Sequence, residues 1–385
     1  TAMEYSTTIG VDVSDRTSKI CVMRKMPDGE RRIVIETTCA TTKEGFEEVF
    51  ARFDRSWPVV FETGTHCRWM DKLFRRMGFD DIIANPGKVP SITKSNTKND
   101  RNDARELARL AIADVSMLHP VKLRDEPYQQ MLRYHRGRNA LIGVRTKLIS
   151  QLRGLAKSMG LRIEDCSTER FHKLSKSDWT HDLESVAWPV MDVIEVVNLK
   201  IKAFEKSIRD LAETPEFKGM VERVRTVYGV GEIGSTAFVA IIGGDPDRFD
   251  RSRDVGAYLG MIPKQDQSGD KDKQLHITHA GSSLLRSALV ECAGVVMQAN
   301  AKETDLKLKG LRIAMNGGRI AKKKAKVAVA RGLAVTMLAL LKNPEAEYIP
   351  LSDEGKKGFE RYHAEMAYLD MKKIAKRDRK AKQAA

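Results

Sequence analysis

Thr7-Thr-Ile-Gly-Val-Asp-Val13 is the stretch on which the fold turns. Its β-branched residues favour an extended strand and put Asp12 within it or at its end. Ser18 to Met23 and Arg31 to Glu36 read as two more strands, joined through Pro27-Asp-Gly29, a strong hairpin turn. Thr42 to Phe53 then has helical spacing, with Phe46, Val49 and Phe53 on one side. Pro58-Val-Val-Phe-Glu-Thr-Gly64 is a buried-type strand ending in Glu62, followed by a helix from about Arg68 to Met77 and a fifth strand, Asp81 to Ala84. Three meandering strands followed by alternating helix and strand predict a mixed α/β sheet flanked by helices. Sites in such sheets form at the carboxyl ends of strands, where Asp12 and Glu62 both fall.

Thr97-Lys-Asn-Asp-Arg-Asn-Asp-Ala-Arg105 follows, with Asp100 and Asp103 at or just inside the start of a helix that continues through Leu107, Leu110 and Ala111. Residues three apart share a helix face, so the two carboxylates can converge. Close carboxylates repel, and a divalent cation such as Mg²⁺ relieves that cost through oxygen ligation. The plainer reading is a pair of exposed acids at a helix N-terminus, where negative charge is favoured anyway. With Asp12 and Glu62 the chain has four acids in the order of ribonuclease H-like nucleases of the RuvC type. The runs I-G-V-D-V-S, F-E-T-G-T and N-D-R-N-D-A-R resemble the three acidic motifs of the DEDD insertion-sequence transposases. That resemblance implies a RuvC-like domain in which Asp12, Glu62, Asp100 and Asp103 bind Mg²⁺. An actin-like ATPase shares the core, but its phosphate loop needs glycine two residues after the aspartate; Ser14 stands there, and no Walker-type loop occurs.

The 385 residues allow two or three domains. Lysine and arginine outnumber acids 67 to 52, a net charge of +15 that suits an extended polyanion. Five scattered cysteines argue for a reducing compartment and against disulfides or a zinc site. No secretory leader is expected before Met3, Thr1-Ala2 reading as a remnant. Val327 to Leu341 is broken by Arg331 and too short to span a bilayer, so no membrane association and a cytoplasmic location are expected.

Pro127 opens a long helix to about Met159, with Leu141, Val144, Leu148, Leu152, Leu155 and Met159 forming one stripe. Leu183 to Leu211 repeats the pattern, becoming a heptad seam from Ile194, and Pro189 suits the first turn of this second helix. A coiled-coil arm that pairs protomers is expected; the alternative is an intramolecular helical hairpin with solvated arginines.

Val227-Tyr-Gly-Val-Gly231 has the pattern of a helix-hairpin-helix, in which Gly229 and Gly231 would admit a phosphate to the backbone. Asp247-Arg-Phe249, Val255 to Pro263, Gln267-Ser-Gly269 and Leu275 to Leu289 then resemble, in order, the C-terminal domain of the same transposases. The resemblance implies that Ser268 is the nucleophile. Its surroundings, Lys264 to Lys273, read as a flexible polar loop in which Gly269 permits close approach and Lys264, Lys271 and Lys273 offset phosphate charge. A serine needs a base, and either the metal site or Asp266 can serve. His279 stands where the family often has lysine. Arg286 matches and is expected at a nucleic-acid backbone. Arg319, Lys322, Lys323 and Lys324 form a basic run ahead of a helix, expected at phosphates, and the tail from Lys372 to Lys382 is expected to be mobile.

The resulting expectation is an enzyme with a RuvC-like domain at 1–122, a helical coiled-coil region at 123–215, a mainly helical C-terminal transposase domain at 216–345 and a basic tail at 346–385. The resemblance implies cleavage and rejoining of donor and target DNA through a phosphoserine. It also implies guidance by a structured bridge RNA, and a dimer or tetramer whose protomers share sites. A junction-resolving nuclease using metal-activated water and a non-catalytic nucleic-acid scaffold are the alternatives.

Overall fold

The computed structural model describes residues 5–85, 100–174, 179–268, 271–315 and 317–384. The chain divides into two compact units, Thr1–Leu123 and Arg124–Ala385.

In the first unit, β1 (Thr7–Val13), β2 (Thr17–Lys25), β3 (Arg31–Ala40), β4 (Val59–Glu62) and β5 (Asp81–Ala84) form one sheet in the order β3-β2-β1-β4-β5. The β1–β2 and β2–β3 pairs are antiparallel, whereas β1–β4 and β4–β5 are parallel. Alternation sends Ile9, Val11, Val59 and Phe61 to one face. There they pack with Phe46 and Phe50 of α1 (Lys43–Phe50) and Met70 and Phe74 of α2 (Cys67–Arg76). Thr42 caps α1 by accepting from the Gly45 N–H. The other face takes α3 (Asp100–Ala113), whose Leu107, Leu110 and Ala111 meet Val60, Ile82 and Ala84.

The second unit begins with α4 (Glu126–Ser158) and α5 (His181–Ala212). Arg138 pairs with Glu205 and Arg145 with Asn198, so the helices run antiparallel. The apolar seam expected to meet a second protomer is therefore filled inside one chain: Ile194 packs with Ile149 and Leu152, Phe204 lies against Tyr134 and Gly137, and Ile208 packs with Met131 and Leu132. Pro189 lies inside α5, not in its first turn. Thr180 caps the helix at Leu183 N, and burial of Leu183 and Ala187 holds the turns ahead of the proline.

α6 (Lys218–Arg225), α7 (Glu232–Phe238), α8 (Val255–Tyr258), α9 (Ser283–Val296), α10 (Asp305–Ala314) and α11 (Gly318–Lys342) complete the unit's core. Val329, Leu333, Met337 and Leu340 make α11 its central helix, which accounts for the apolar run noted in the sequence. Among the described residues no helix is long and apolar enough to cross a membrane. Two expectations change here. The basic run Arg319 to Lys324 belongs to the first turns of α11 itself, and the tail belongs to α12 (Asp353–Ala384).

Candidate active site

On β1 the residues facing α3 are Thr8, Gly10 and Asp12, since Ile9 and Val11 face the aromatic core. Thr8 Oγ1 donates to the Ala108 carbonyl at 2.9 Å. A Cβ on Gly10 would stand 2.0 Å from the Ala104 carbonyl oxygen, so only glycine lets the helix come this close. The same alternation on β4 turns Val60 and then Glu62 toward α3. The parallel register pairs Ile9 with Val59, Gly10 with Val60 and Val11 with Phe61; one step further sets Asp12 beside Glu62.

The direction of α3 follows from the same contacts. Ala108 lies at Thr8 and Ala104 at Gly10, so four helix residues span two strand residues in the opposite sense. A rise of about 1.5 Å in a helix against about 3.3 Å in a strand accounts for that ratio. One more turn brings Asp100, the first residue of α3, level with Asp12, with half-buried Asp103 in the same turn. Asp12 and Glu62 thus stand together, and the helix bearing the other two acids starts over them. The side chain of Asp100 is outside the described part, and among the described residues no group of three or more metal-capable side chains closes.

Asp12 and Glu62 line a cleft of about 240 Å³ together with Asp15 and His66. Its paired carboxylates are hard oxygen donors, which suits a divalent cation that prefers oxygen. Three neighbours escaped the sequence reading. Lys19 is the cross-strand partner of Asp12, with its Nζ 3.1 Å from Thr38 Oγ1. His66 Nδ1 accepts from Trp69 Nε1 at 3.1 Å, so its proton sits on Nε2, 3.6 Å from Asp15 Oδ1. The spacing D12-x-x-D15 and E62-x-x-x-H66 was the available signal; strand pairing, which selects Lys19, has none.

In the second unit, Ser268 is not in a loop. It ends β6 (Pro263–Ser268), which pairs antiparallel with β7 (Lys271–Ile277), Ser268 lying opposite Lys271 and Asp266 opposite Lys273. The side chains of Ser268, Lys271 and Lys273, and all of Gly269, lie outside the described part; Lys264 is exposed. At the ribbon's base two chain segments cross. Gly260 (φ +65°) and Gly281 (φ +67°) both have left-handed backbone. A Cβ on Gly260 would stand 2.2 Å from Ala280 N, and one on Gly281 2.1 Å from the Tyr258 carbonyl oxygen. Arg286 Nη1 donates to the carbonyls of Leu259 (3.1 Å), Ala280 and Gly281 (3.3 Å). Its guanidinium pins the crossing, a local role the sequence did not indicate.

Gly229 (φ +87°) also has a packing role, since a Cβ there would meet Val296 Cγ2 at 2.5 Å. Gly231, the N-cap of α7, faces open space. Arg319, Lys322, Lys323 and Lys324 are exposed and form no ion pair among the described residues. Cations in a helix's first turns oppose its dipole, so their presence here suits an anionic partner better than local stability.

A mixed sheet of this order, with acids on adjoining strand ends beneath an incoming helix, has the architecture of a RuvC-like domain, a type that typically uses a divalent metal. Residues 9–160 match a transposase model of the DEDD type, and residues 221–307 match the transposase IS116/IS110/IS902 family. The chain is 28% identical to the transposase for insertion sequence element IS1111A of Coxiella burnetii, over 74% of this chain and 78% of that protein. It is 26% identical to the putative transposase y4qE of Sinorhizobium fredii, over 74% of this chain and 70% of that one. The transposase for insertion sequence element IS1328 of Yersinia enterocolitica is 28% identical over 62% and 71%. The chain belongs to the IS110 family of insertion-sequence transposases, enzymes that cut and rejoin DNA.

Proposed function

We propose that the chain moves its insertion sequence through a covalent serine–DNA intermediate, with Mg²⁺ held by Asp12, Glu62, Asp100 and Asp103. The observation that carries this reading is the adjacency of Asp12 and Glu62 on the face that α3 covers. When bound, the ion polarises the scissile phosphate and offsets the charge that develops on it. The chain's own groups do the rest. Ser268 Oγ attacks phosphorus and gives its proton to a neighbouring base, Asp266 being the nearest candidate along the strand. The bond from phosphorus to the leaving sugar oxygen breaks, and that oxygen ends as a hydroxyl. A hydroxyl of the second DNA strand then attacks the phosphoserine and restores the serine. One phosphodiester is lost and one made, so no external energy source is needed.

Lys264, Lys271 and Lys273 on the ribbon, the turn at Gly229 and Gly231 in its helix-hairpin-helix role, and the basic start of α11 would hold the nucleic-acid backbone. A structured RNA pairing with donor and target DNA would read sequence while the protein reads shape and charge. Protomers pair as a dimer or tetramer. With the seam of α5 filled internally, the surface suited to pairing is its outer stripe, Val186, Val193 and Val196, each about half exposed.

The test compares Ser268→Ala with Asp12→Asn on plasmid substrates carrying the element's ends. Both variants should lose joined product, and wild type alone should yield a phosphoserine peptide by mass spectrometry. Undiminished cleavage by Ser268→Ala would favour a nuclease using activated water. Active protein that copurifies with no RNA would remove the guide from the proposal.

A further inference from the structure

We infer that the α4–α5 hairpin carries a separate site for the phosphates of a nucleic-acid strand, in the cavity it encloses with the segment 160–174. The cavity measures about 580 Å³, the size of sites that hold a nucleotide unit. None of its lining residues belongs to the ribbon that carries Ser268 or to the cleft of Asp12 and Glu62. The inference rests on the chain acting on nucleic acid and is independent of the serine chemistry.

Its floor is a buried polar network set beside the apolar layer of the helix–helix seam. Arg145, 7% exposed, donates through Nη1 to Asn198 Oδ1 (2.8 Å) and through Nη2 to Glu169 Oε1 (2.9 Å). Its Nε is buried without an acceptor. Asn198 donates in turn to the Glu169 carbonyl and to His172 Nδ1, both at 3.2 Å, which leaves the His172 proton on Nε2 as a further donor. An apolar residue at position 145 would extend the layer of Ile149 and Leu152 at no desolvation cost. A guanidinium kept in an apolar layer at the wall of this cavity is therefore better explained by an anion that the cavity receives beside it.

The rim carries the charge that would draw such an anion in. Arg170, Lys173 and Lys202 line the cavity, are exposed, and form no ion pair among the described residues. Three carboxylates also line it, but Glu169 and Glu205 are engaged by Arg145 and Arg138, leaving Glu195 as the counterweight. Five cations face three acids. No Phe, Tyr or Trp is among the described lining residues, so a base has no stacking platform. The chemistry fits a sugar-phosphate backbone rather than a free nucleotide.

The experiment uses the full chain with Arg170→Glu, Lys173→Glu and Lys202→Glu combined, all exposed positions that leave the seam intact. Affinity for labelled duplex DNA and for structured RNA is measured against salt concentration, beside the thermal melt. The expected result is an unchanged melt, affinity for at least one nucleic acid down about tenfold or more, and a log–log salt slope shallower by about two to three. Loss on DNA alone, on RNA alone or on both supports the site and says which strand it holds. Unchanged affinity and slope for both would overturn it. So would a melt raised by inorganic phosphate or ATP in wild type but not in the variant, with nucleic-acid binding unmoved. Arg145→Lys, which keeps charge but loses the fork, should weaken binding while leaving the salt slope nearly intact. Ser268→Ala, assayed alongside, should bind like wild type; its joining activity judges the serine reading separately.

Discussion

Asp12 and Glu62 stand on neighbouring interior strands of a sheet covered on both faces, whereas Ser268 ends a strand with a single pairing partner. The carboxylates take their positions from the aromatic core behind them and from α3, seated against Gly10 in front. The serine strand takes its position from a two-stranded ladder and from one backbone crossing clamped by Arg286. A two-stranded hairpin is marginal by itself, so the ribbon's stability depends on what its base supplies. Metal ligands must be fixed before the ion arrives; a nucleophile need only be fixed when the phosphate does. On the proposed reading, the two units are suited to those two needs.

The sharpest way to break this comparison is to remove one reactive group from each unit. Asp12→Asn is expected to lower single-turnover strand cleavage by on the order of 10³-fold, with the melt unchanged. Ser268→Ala should lower joined product by a similar order and leave divalent-metal dependence of any residual cleavage intact. Equal metal dependence in all three proteins but full joining by Ser268→Ala would assign both steps to the first unit.

Next in size are the two glycine contacts. Gly10→Ala places a methyl group against the backbone of α3, a clash that rotamer changes cannot relieve, and should cost about 1–3 kcal/mol or more. Hydrogen exchange should then rise in β1 and α3 while the second unit's peptides hold. Gly260→Ala should do the reverse, loosening the ribbon and sparing the sheet, and joined product should fall faster than nucleic-acid affinity. A uniform rise in exchange for either variant would show that the supports are not separate.

Arg286 offers a smaller and more discriminating change. Because its guanidinium is engaged by three carbonyls, Arg286→Met should reduce joining about tenfold without altering the salt slope of DNA binding. A slope that shifts by about one would instead put Arg286 at a phosphate, as the resemblance implies.

What could be read in advance divides along the same line. The five strands and the helices of the first unit follow the sequence closely, because β-branched runs, a Pro-Asp-Gly turn and period-3.6 stripes are local signals. The adjacency of Asp12 to Glu62 was implied by strand ends, but the register that makes it, and the reason for Gly10, are tertiary. Lys264-Gln-Asp-Gln-Ser268 lacks β-formers and suggests a loop; cross-strand pairing with Lys271–Ile277 overrides that weak propensity. Pro189 misled for the same reason, since helix burial outweighs one missing hydrogen bond. The heptad seam was legible, its partner was not: a repeat of apolar residues says that a face is covered and is silent about which chain covers it.

The smallest effect sets the two units against each other in pH. Asp81, at the start of β5, faces Asp71 and lies 3.0 Å from Arg75 Nε. Burial first, and the Asp71 charge second, push its carboxyl up to about 6. The folded first unit thus holds a proton that the unfolded chain has released, and its stability falls as pH rises from about 4 to about 6, then levels. His135, buried against Thr236 at 3.1 Å, is pushed down to about 4 by burial and then by the Arg138 charge. Here the unfolded chain holds the extra proton, so the second unit gains stability as pH rises from about 4 to about 6.5. Each contribution is on the order of 1–3 kcal/mol. Unit-resolved hydrogen exchange between pH 4 and 7, corrected for intrinsic rates, should show opposite slopes. Asp81→Asn should flatten the first and His135→Gln the second; slopes of one sign in both units would mean that other groups govern their acid stability.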